Sequence, residues 1–171
     1  TKKIRRCTPE KGTHYAQFST DGTLFLDSYS SSTEPRRVAL YDNKGKEIKQ
    51  IHKSDNPWAN LDMPEIDVFK IKAKDGTDLY ARMIKPLNFD ANKKYPVIVY
   101  VYGGPHAQLI TDTWLSGANN FFLFLAQQGY IVWTVDSRGS ANRGFEFESA
   151  IWRNCGSIEV SDQMDGVNYL K

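Results

Sequence analysis

The chain has 171 residues, of which 40% are hydrophobic and 25% are charged, as in soluble globular proteins with one domain or parts of two. Lysine plus arginine (22) nearly balances aspartate plus glutamate (20), and the net charge of +2 argues against nucleic acid or a membrane surface as partner. No apolar stretch is long enough to span a bilayer. Cys7 and Cys155 match no metal-binding spacing and are expected to be ordinary thiols.

Residues 1–62 have the pattern of a small antiparallel β-sheet followed by a polar linker. The predicted strands are separated by turn signals such as Asp21-Gly22, and they cover residues 16–19, 23–30, 37–42 and 47–51. Four short strands in about forty residues are typical of one β-propeller blade. A single blade cannot bury both of its faces, so this interpretation requires neighbours on each side.

Residues 63–171 begin with a predicted hairpin formed by residues 65–72 and 78–85. The run from Val97 to Tyr102 is apolar or aromatic throughout, which predicts a strand buried on both faces in the middle of a parallel sheet. This strand and the glycine-rich turn after it are the features around which we expect the second half of the chain to be organised.

The pattern then alternates between helix and strand. A helix is predicted over 119–128, with Gly129 as its C-terminal cap, and a second buried strand over 130–135. This order predicts a right-handed parallel crossover. One or two helical turns are expected over 145–154, and a last helix is expected to start at Ser157 or Ser161 and run towards Lys171.

Tyr102 is the residue whose position best suggests chemistry. Gly103-Gly104-Pro105 makes a sharp exit from the predicted strand, and ligands of open α/β sheets bind at the carboxyl ends of the strands. A phenol at this edge could donate a hydrogen bond to an oxyanion formed during acyl transfer. The alternative is that Tyr102 only packs against the edge of the sheet.

No complete catalytic set accompanies Tyr102. None of the serines lies in a Gly-x-Ser-x-Gly motif, and His14, His52 and His106 are scattered along the sequence. We expect His106 to be solvated, and Arg138 to bind carbonyls of its own loop rather than a substrate carboxylate. No phosphate loop, metal-ligand spacing or dinucleotide fingerprint is present, so neither a metal nor a cofactor is expected.

Several motifs resemble the prolyl oligopeptidase family of serine peptidases, and within it the dipeptidyl peptidase IV branch. The matching stretches, in the order expected for that family, are Gly12-Thr13-His14, Phe18–Gly22, Tyr95–Pro105, Asp136–Ser140 and Gly156–Gln163. The resemblance implies a β-propeller that caps an α/β-hydrolase domain. Residues 1–62 would then be the last blade segment with its linker, and residues 63–171 the N-terminal half of the peptidase domain.

The resemblance also implies an activity. Tyr102 matches the family tyrosine whose hydroxyl helps to form the oxyanion hole, whereas His106 falls where the family varies. The family's catalytic Ser, Asp and His would lie beyond Lys171, so the 171-residue chain is predicted to be inactive alone. The resemblance further implies a peptide substrate, cleavage through an acyl-enzyme, and leaves a homodimer open for the parent protein.

Other functions stay open from the sequence. An acyl-peptide hydrolase or esterase of the same fold would also use a donor at Tyr102, and a non-catalytic binding module would need no nucleophile. The exact substrate and the compartment are not predicted; the resemblance alone suggests a periplasmic or other extracytoplasmic location.

Overall fold

The computed structural model describes residues 4–171. The chain forms two compact units. The first contains the residues up to Asn60 together with Thr111–Gly117, and the second contains Leu61–Ile110 and Ala118–Lys171. Within residues 4–171, none of the helices has the length and apolar character needed to cross a membrane.

The first unit is built on a four-stranded antiparallel sheet. Its strands are β1 (Thr13–Phe18), β2 (Leu24–Ser30), β3 (Arg37–Asp42) and β4 (Glu47–Lys53). They pair in sequence order, each with the next strand along the chain. Successive antiparallel strands of this length are compatible with one blade of a β-propeller, as the turn signals of the sequence indicate.

The two middle strands carry the core of this sheet. Phe25 of β2 stacks on Tyr41 of β3 with ring centroids 5.2 Å apart, and both side chains are buried. Asp27 also lies on this buried face, where its Oδ2 is 2.6 Å from Nδ1 of His14. All residues of β4 are exposed, because this strand has a neighbour on one side only.

Residues 111–117 belong to the first unit although they are distant in sequence. The carboxylate of Asp112 accepts the N–H of Ser32 at 3.1 Å, and its carbonyl accepts the hydroxyl of Thr13 at 2.8 Å. The N–H of Leu115 is donated to the carbonyl of Ser32 at 3.3 Å. The sequence predicts only a loop here, and no local pattern indicates that the loop packs on β1 and the end of β2.

The second unit contains a mixed sheet and three helices. The strands are β5 (Ile66–Lys72), β6 (Asp78–Ile84), β7 (Val97–Tyr100) and β8 (Ile131–Asp136), and the helices are α1 (Asn120–Gln127), α2 (Phe145–Ser149) and α3 (Ile158–Tyr169). The sheet order is β5-β6-β8-β7, in which only β7 and β8 are parallel. The core under β6 and β8 includes Leu79, Ala81 and Trp133.

The prediction that Val97–Tyr102 is a buried central strand is wrong for this chain. The strand ends at Tyr100, lies at the edge of the sheet, and has residues that are 37–40% exposed. The fully buried strand is β8, because it lies between β6 and β7. Hydrophobicity predicted that both runs are strands, but the number of neighbours decides which one is covered.

The helices agree more closely than β7 with the elements that the sequence predicts. At the start of α1, the Asn119 side chain accepts the N–H of Phe122 at 3.0 Å, and Gly129 follows the C-cap residue Gln128. The helix buries Phe122 and Leu123 and exposes Phe121 and Phe124, which is the amphipathic arrangement. Ser157 occupies the N-cap position of α3 but makes no side-chain capping bond.

Candidate active site

Tyr102 lies two residues beyond the carboxyl end of β7, and its side chain is 57% exposed. Among the residues that the structure describes, no hydrogen-bond partner of the phenol hydroxyl is found. The group is therefore available to a ligand at the strand ends.

The two glycines after Tyr102 have different physical roles. Gly103 has φ +67°, a left-handed conformation that side chains disfavour. Gly104 is needed for space, because a Cβ at this position would lie 2.9 Å from Cε1 of the Tyr102 ring. The ring thus rests against the backbone of its own loop, which restricts where the hydroxyl can point.

The loop after β7 is tied to the loop after β8. The N–H of His106 donates to the carbonyl of Gly139 at 3.0 Å, and the N–H of Gly139 donates to the carbonyl of Phe147 at 2.9 Å. Gly139 has φ +98°, and a Cβ there would overlap the side chain of Ile151 and lie 3.5 Å from the carbonyl oxygen of Gly104. A side chain at position 139 would therefore be strained, and it would meet Ile151 and the turn that follows Tyr102.

Arg138 fixes the β8 loop through carboxylates rather than through carbonyls. Its Nε and Nη2 contact Asp162 at 3.1 and 2.6 Å, and its own N–H donates to the same carboxylate at 2.8 Å. Nη1 contacts Asp75. The expectation that Arg138 binds carbonyls of its own loop is wrong, because α3 and the β5–β6 turn bring two acidic side chains to it.

These contacts change the ionisation of the groups involved. Hydrogen bonding to Asp162, with a smaller contribution from Asp75, raises the pKa of Arg138 above its ordinary value. The pKa of Asp75 is lowered to about 2, first by hydrogen bonds from Thr77 and then by Arg138. Arg138 and Asp75 are consequently both charged at neutral pH, and their ion pair joins the β8 loop to the β5–β6 turn.

Two buried charged residues, Asp136 and Arg82, bind the backbone at the C-terminal end of the loop that follows β7. Asp136 is buried and accepts the N–H groups of Leu109 and Ile110 at 2.9 and 3.1 Å. Burial raises the pKa of Asp136 above its ordinary value, and the two hydrogen bonds and the charge of Arg82 lower it by a smaller amount. Arg82 is 1% exposed and donates to the carbonyl of Leu109 at 3.1 Å. Both ends of the loop are therefore anchored to β8 or its neighbour.

His106 has a partner that the sequence did not indicate. Its Nδ1 pairs with Oε1 of Glu148 on α2, while most of the imidazole stays exposed to solvent. The two residues are 42 positions apart, so no local pattern could connect them. Asp162 lies inside the Gly156–Gln163 stretch, but nothing in that stretch indicated its contact with Arg138, 24 positions away.

The other candidate residues do not join Tyr102. His14 pairs with Asp27 and His52 contacts Ser54, both in the first unit. Cys7 and Cys155 are free thiols. In the described part of the chain, no group of three or more histidine, cysteine or acidic residues is arranged to hold a metal ion.

Comparison with known proteins relates this arrangement to one family. The model of the prolyl oligopeptidase family matches residues 117–171. Mouse dipeptidyl peptidase 8 is 33% identical over 98% of this chain, which spans 20% of that protein. A crystal structure from Bacteroides ovatus, of a protein proposed to be a dipeptidyl aminopeptidase IV, has a TM-score of 0.88 and 46% identity over 94% of this chain and 23% of its own.

A second solved structure supports the same relationship. Porphyromonas gingivalis dipeptidyl peptidase 4 has a TM-score of 0.84 and 28% identity over 95% of this chain, and 23% of its own length is covered. The chain thus spans about a fifth of the length of the relatives that it matches. Sequence motifs, fold and relatives agree that this chain belongs to the prolyl oligopeptidase family.

Proposed function

We propose that this chain is a segment of a serine dipeptidyl peptidase and that it contributes the oxyanion donor Tyr102. The first unit serves as a propeller blade with its linker, and the second as part of an α/β-hydrolase-type peptidase domain. The names of the relatives support the activity, and the mixed sheet with its parallel β7–β8 pair supports the domain type.

The observation that carries the proposal is the exposed, unpaired phenol at the carboxyl end of β7. A serine outside this chain passes its proton to a base, also outside this chain, and attacks the carbonyl carbon of the peptide bond, so that the carbonyl oxygen acquires the negative charge. The Tyr102 hydroxyl donates to that oxygen. The protonated base then gives its proton to the amine of the leaving peptide as the C–N bond breaks, and the resulting acyl-enzyme is hydrolysed by water.

The anchors around Tyr102 supply the preorganisation that this role requires. An oxyanion donor is effective when its position is fixed before the reaction, so that no reorganisation is needed as charge develops. Gly104 leaves room for the ring of Tyr102. The N–H of His106 bonds to the carbonyl of Gly139, and Arg138 with Asp162 holds the loop that contains Gly139. The sequence of contacts runs from a buried carboxylate to the exposed phenol.

The exposed edge of β7 is consistent with the same interpretation. In the sheet that the structure describes, β7 pairs with β8 on one side, and Val97, Val99 and Tyr100 are 37–40% exposed. A further parallel strand would cover this edge in a larger hydrolase sheet. We propose that the nucleophile belongs to such a strand and the helix after it.

Substitution of Tyr102 tests the proposal. In the full-length protein that carries this sequence, Tyr102→Phe removes the hydroxyl and keeps the ring on Gly104. Loss of one oxyanion donor costs roughly a hundredfold to a thousandfold in kcat, or about 3 kcal/mol, so kcat for a Gly-Pro chromogenic substrate should fall by that factor with little change in KM.

Two controls make this test decisive. Tyr130→Phe removes a hydroxyl that lies outside the candidate site and should leave kcat unchanged. The purified 171-residue chain should show no turnover, since the proposed nucleophile lies outside it. Unchanged kcat in Tyr102→Phe would contradict the oxyanion role, and hydrolysis by the chain alone would contradict the segment interpretation.

A further inference from the structure

A closed ring of contacts holds the turn that follows Tyr102. His106 lies in this turn, and its N–H donates to the carbonyl of Gly139, in the loop after β8, at 3.0 Å. The N–H of Gly139 donates to the carbonyl of Phe147 on α2 at 2.9 Å. Glu148, the next residue of α2, contacts Nδ1 of His106 through Oε1 and closes the ring. Three segments of the second unit therefore meet at His106.

One link of this ring depends on side-chain chemistry. The two bonds through Gly139 join backbone groups, which residues of many types could supply. The third link joins an imidazole to a carboxylate, so it requires particular residue types at positions 106 and 148. A hydrogen bond to a carboxylate is roughly twice as strong as one between neutral groups. The His106–Glu148 contact is thus the specific element that the sequence adds to the backbone bonds.

The backbone of His106 needs such support. It has φ +66°, a left-handed conformation that residues with a Cβ disfavour. A return of His106 to an ordinary conformation would redirect the chain between Gly103 and His106. The contacts with Gly139 and Glu148 offset this tendency. The turn after Tyr102 is therefore held by contacts that are made four positions further along the chain.

We propose that His106 and Glu148 are a positioning pair for Tyr102, which keeps the turn in the conformation that directs the phenol hydroxyl towards the oxyanion. The inference rests on the proposed peptidase function. Neither residue of the pair touches the substrate. Because an oxyanion donor must be in place before charge develops, a contact that holds its turn affects the rate without meeting the reacting atoms.

A contact that served stability alone would give a different result. Its loss would lower the thermal midpoint of the protein and leave the rate of the folded enzyme unchanged. Loss of a positioning pair should do the reverse. The two backbone bonds of the ring remain when a side chain is replaced, so the fold is kept while the turn gains freedom. Rate and thermal midpoint are therefore measured together.

The first test is His106→Ala in the full-length protein that carries this sequence, with Gly-Pro p-nitroanilide as the substrate. We expect kcat and kcat/KM to fall together by about tenfold, while KM and the thermal midpoint change little, as for an interaction that acts only in the transition state. The loss is smaller than that expected for Tyr102→Phe, because the hydroxyl is displaced and not removed.

The partner residue shows whether the two side chains act as a unit. Glu148→Ala should lower kcat by the same factor as His106→Ala. In the double variant, kcat should fall no further than in either single variant, because one contact can be lost only once. A double-mutant cycle of kcat thus measures the coupling between the two positions.

A conservative variant and a matched control complete the design. In His106→Asn, the amide nitrogen can take the place of Nδ1, and asparagine tolerates the left-handed backbone. This variant should retain most of the rate that His106→Ala loses. Glu146→Ala is the control, since it removes an exposed carboxylate from the same helix that is not a member of the ring. Its kcat should equal that of the unmodified protein.

The outcomes distinguish this proposal from the peptidase function. If the unmodified protein hydrolyses the nitroanilide and both alanine variants keep its kcat, the positioning proposal is overturned and the peptidase proposal stands. The same conclusion follows if the losses of the two single variants multiply in the double variant, or if Glu146→Ala loses as much as Glu148→Ala. If the unmodified full-length protein does not hydrolyse the substrate, both proposals fail.

Discussion

β7 and β8 are neighbouring parallel strands of similar composition, but they have opposite environments. Every residue of β8 is buried, whereas the residues of β7 are 37–40% exposed. The loop after β8 is anchored by Arg138 and Asp162, and the loop after β7 presents Tyr102 to solvent. Adjacent apolar runs can thus have opposite environments, because the number of neighbouring strands decides which one is covered.

The largest expected difference between the strands is in their contribution to stability. Trp133 of β8 is 0% exposed and contacts the rings of Phe69 and Tyr169. Trp133→Ala should lower the free energy of unfolding by about 3–5 kcal/mol, because it removes a buried ring and leaves a cavity. Urea denaturation of the 171-residue chain measures this loss.

The matched substitution in β7 is Val99→Ala. Val99 is 37% exposed and has a neighbouring strand on one side only, so the expected loss is about 1 kcal/mol or less. Equal losses for Trp133→Ala and Val99→Ala would mean that the edge of β7 is covered in solution, which would contradict the difference in exposure between β7 and β8.

The next largest effect concerns the two carboxylates that hold Arg138. The Asp162 side chain is 0% exposed, and the Asp75 side chain is 52% exposed. Asp162→Ala leaves the arginine without its buried partner and should cost about 3 kcal/mol. Asp75→Ala should have a much smaller effect, because water solvates the exposed side of the guanidinium.

Denaturation curves of both variants, compared with the unmodified chain, give the two losses. A loss for Asp75→Ala that equals or exceeds the loss for Asp162→Ala would show that burial does not set the strength of this anchor. In the full-length protein, Asp162→Ala should also lower kcat, since the support of Gly139 and hence of Tyr102 is weakened.

The smallest expected effect is a pH dependence. The pKa of Asp75 is about 2 in the folded chain and 3.8 in its reference state. A carboxyl whose pKa is lowered by folding stabilises the folded state above its reference value, and this stabilisation is lost as the pH falls from 3.8 towards about 2. Acid denaturation should therefore be less steep in Asp75→Asn.

Salt distinguishes the causes of this pKa shift. Hydrogen bonds from Thr77 contribute more than the charge of Arg138, so about 1 M salt should remove only a minor part of the acid sensitivity. Complete loss of the pH dependence in salt would show that the ion pair, rather than the turn hydrogen bonds, controls Asp75.

Local sequence patterns determined most of the elements. The Asp-Gly turn at Asp21-Gly22, the glycine after α1 at Gly129 and the buried strand β8 are all short-range features, and each appears in the structure as expected. The apolar run of β7 also forms a strand, but at the edge of the sheet and not at its centre. The motif around Tyr102 also indicated where to look for a candidate site. Its two glycines are required by the local backbone conformation and by the space that the Tyr102 ring occupies, and both depend only on adjacent residues.

The tertiary structure decided which groups meet. Burial of β8 rather than β7 depends on the number of neighbouring strands, which no single run of residues records. The Arg138–Asp162 anchor, the His106–Glu148 pair and the packing of Asp112 on the first sheet join residues that are 24, 42 and up to 99 positions apart. Contacts over such separations follow from the folding of the whole chain, so hydrophobic periodicity and turn chemistry could not predict them.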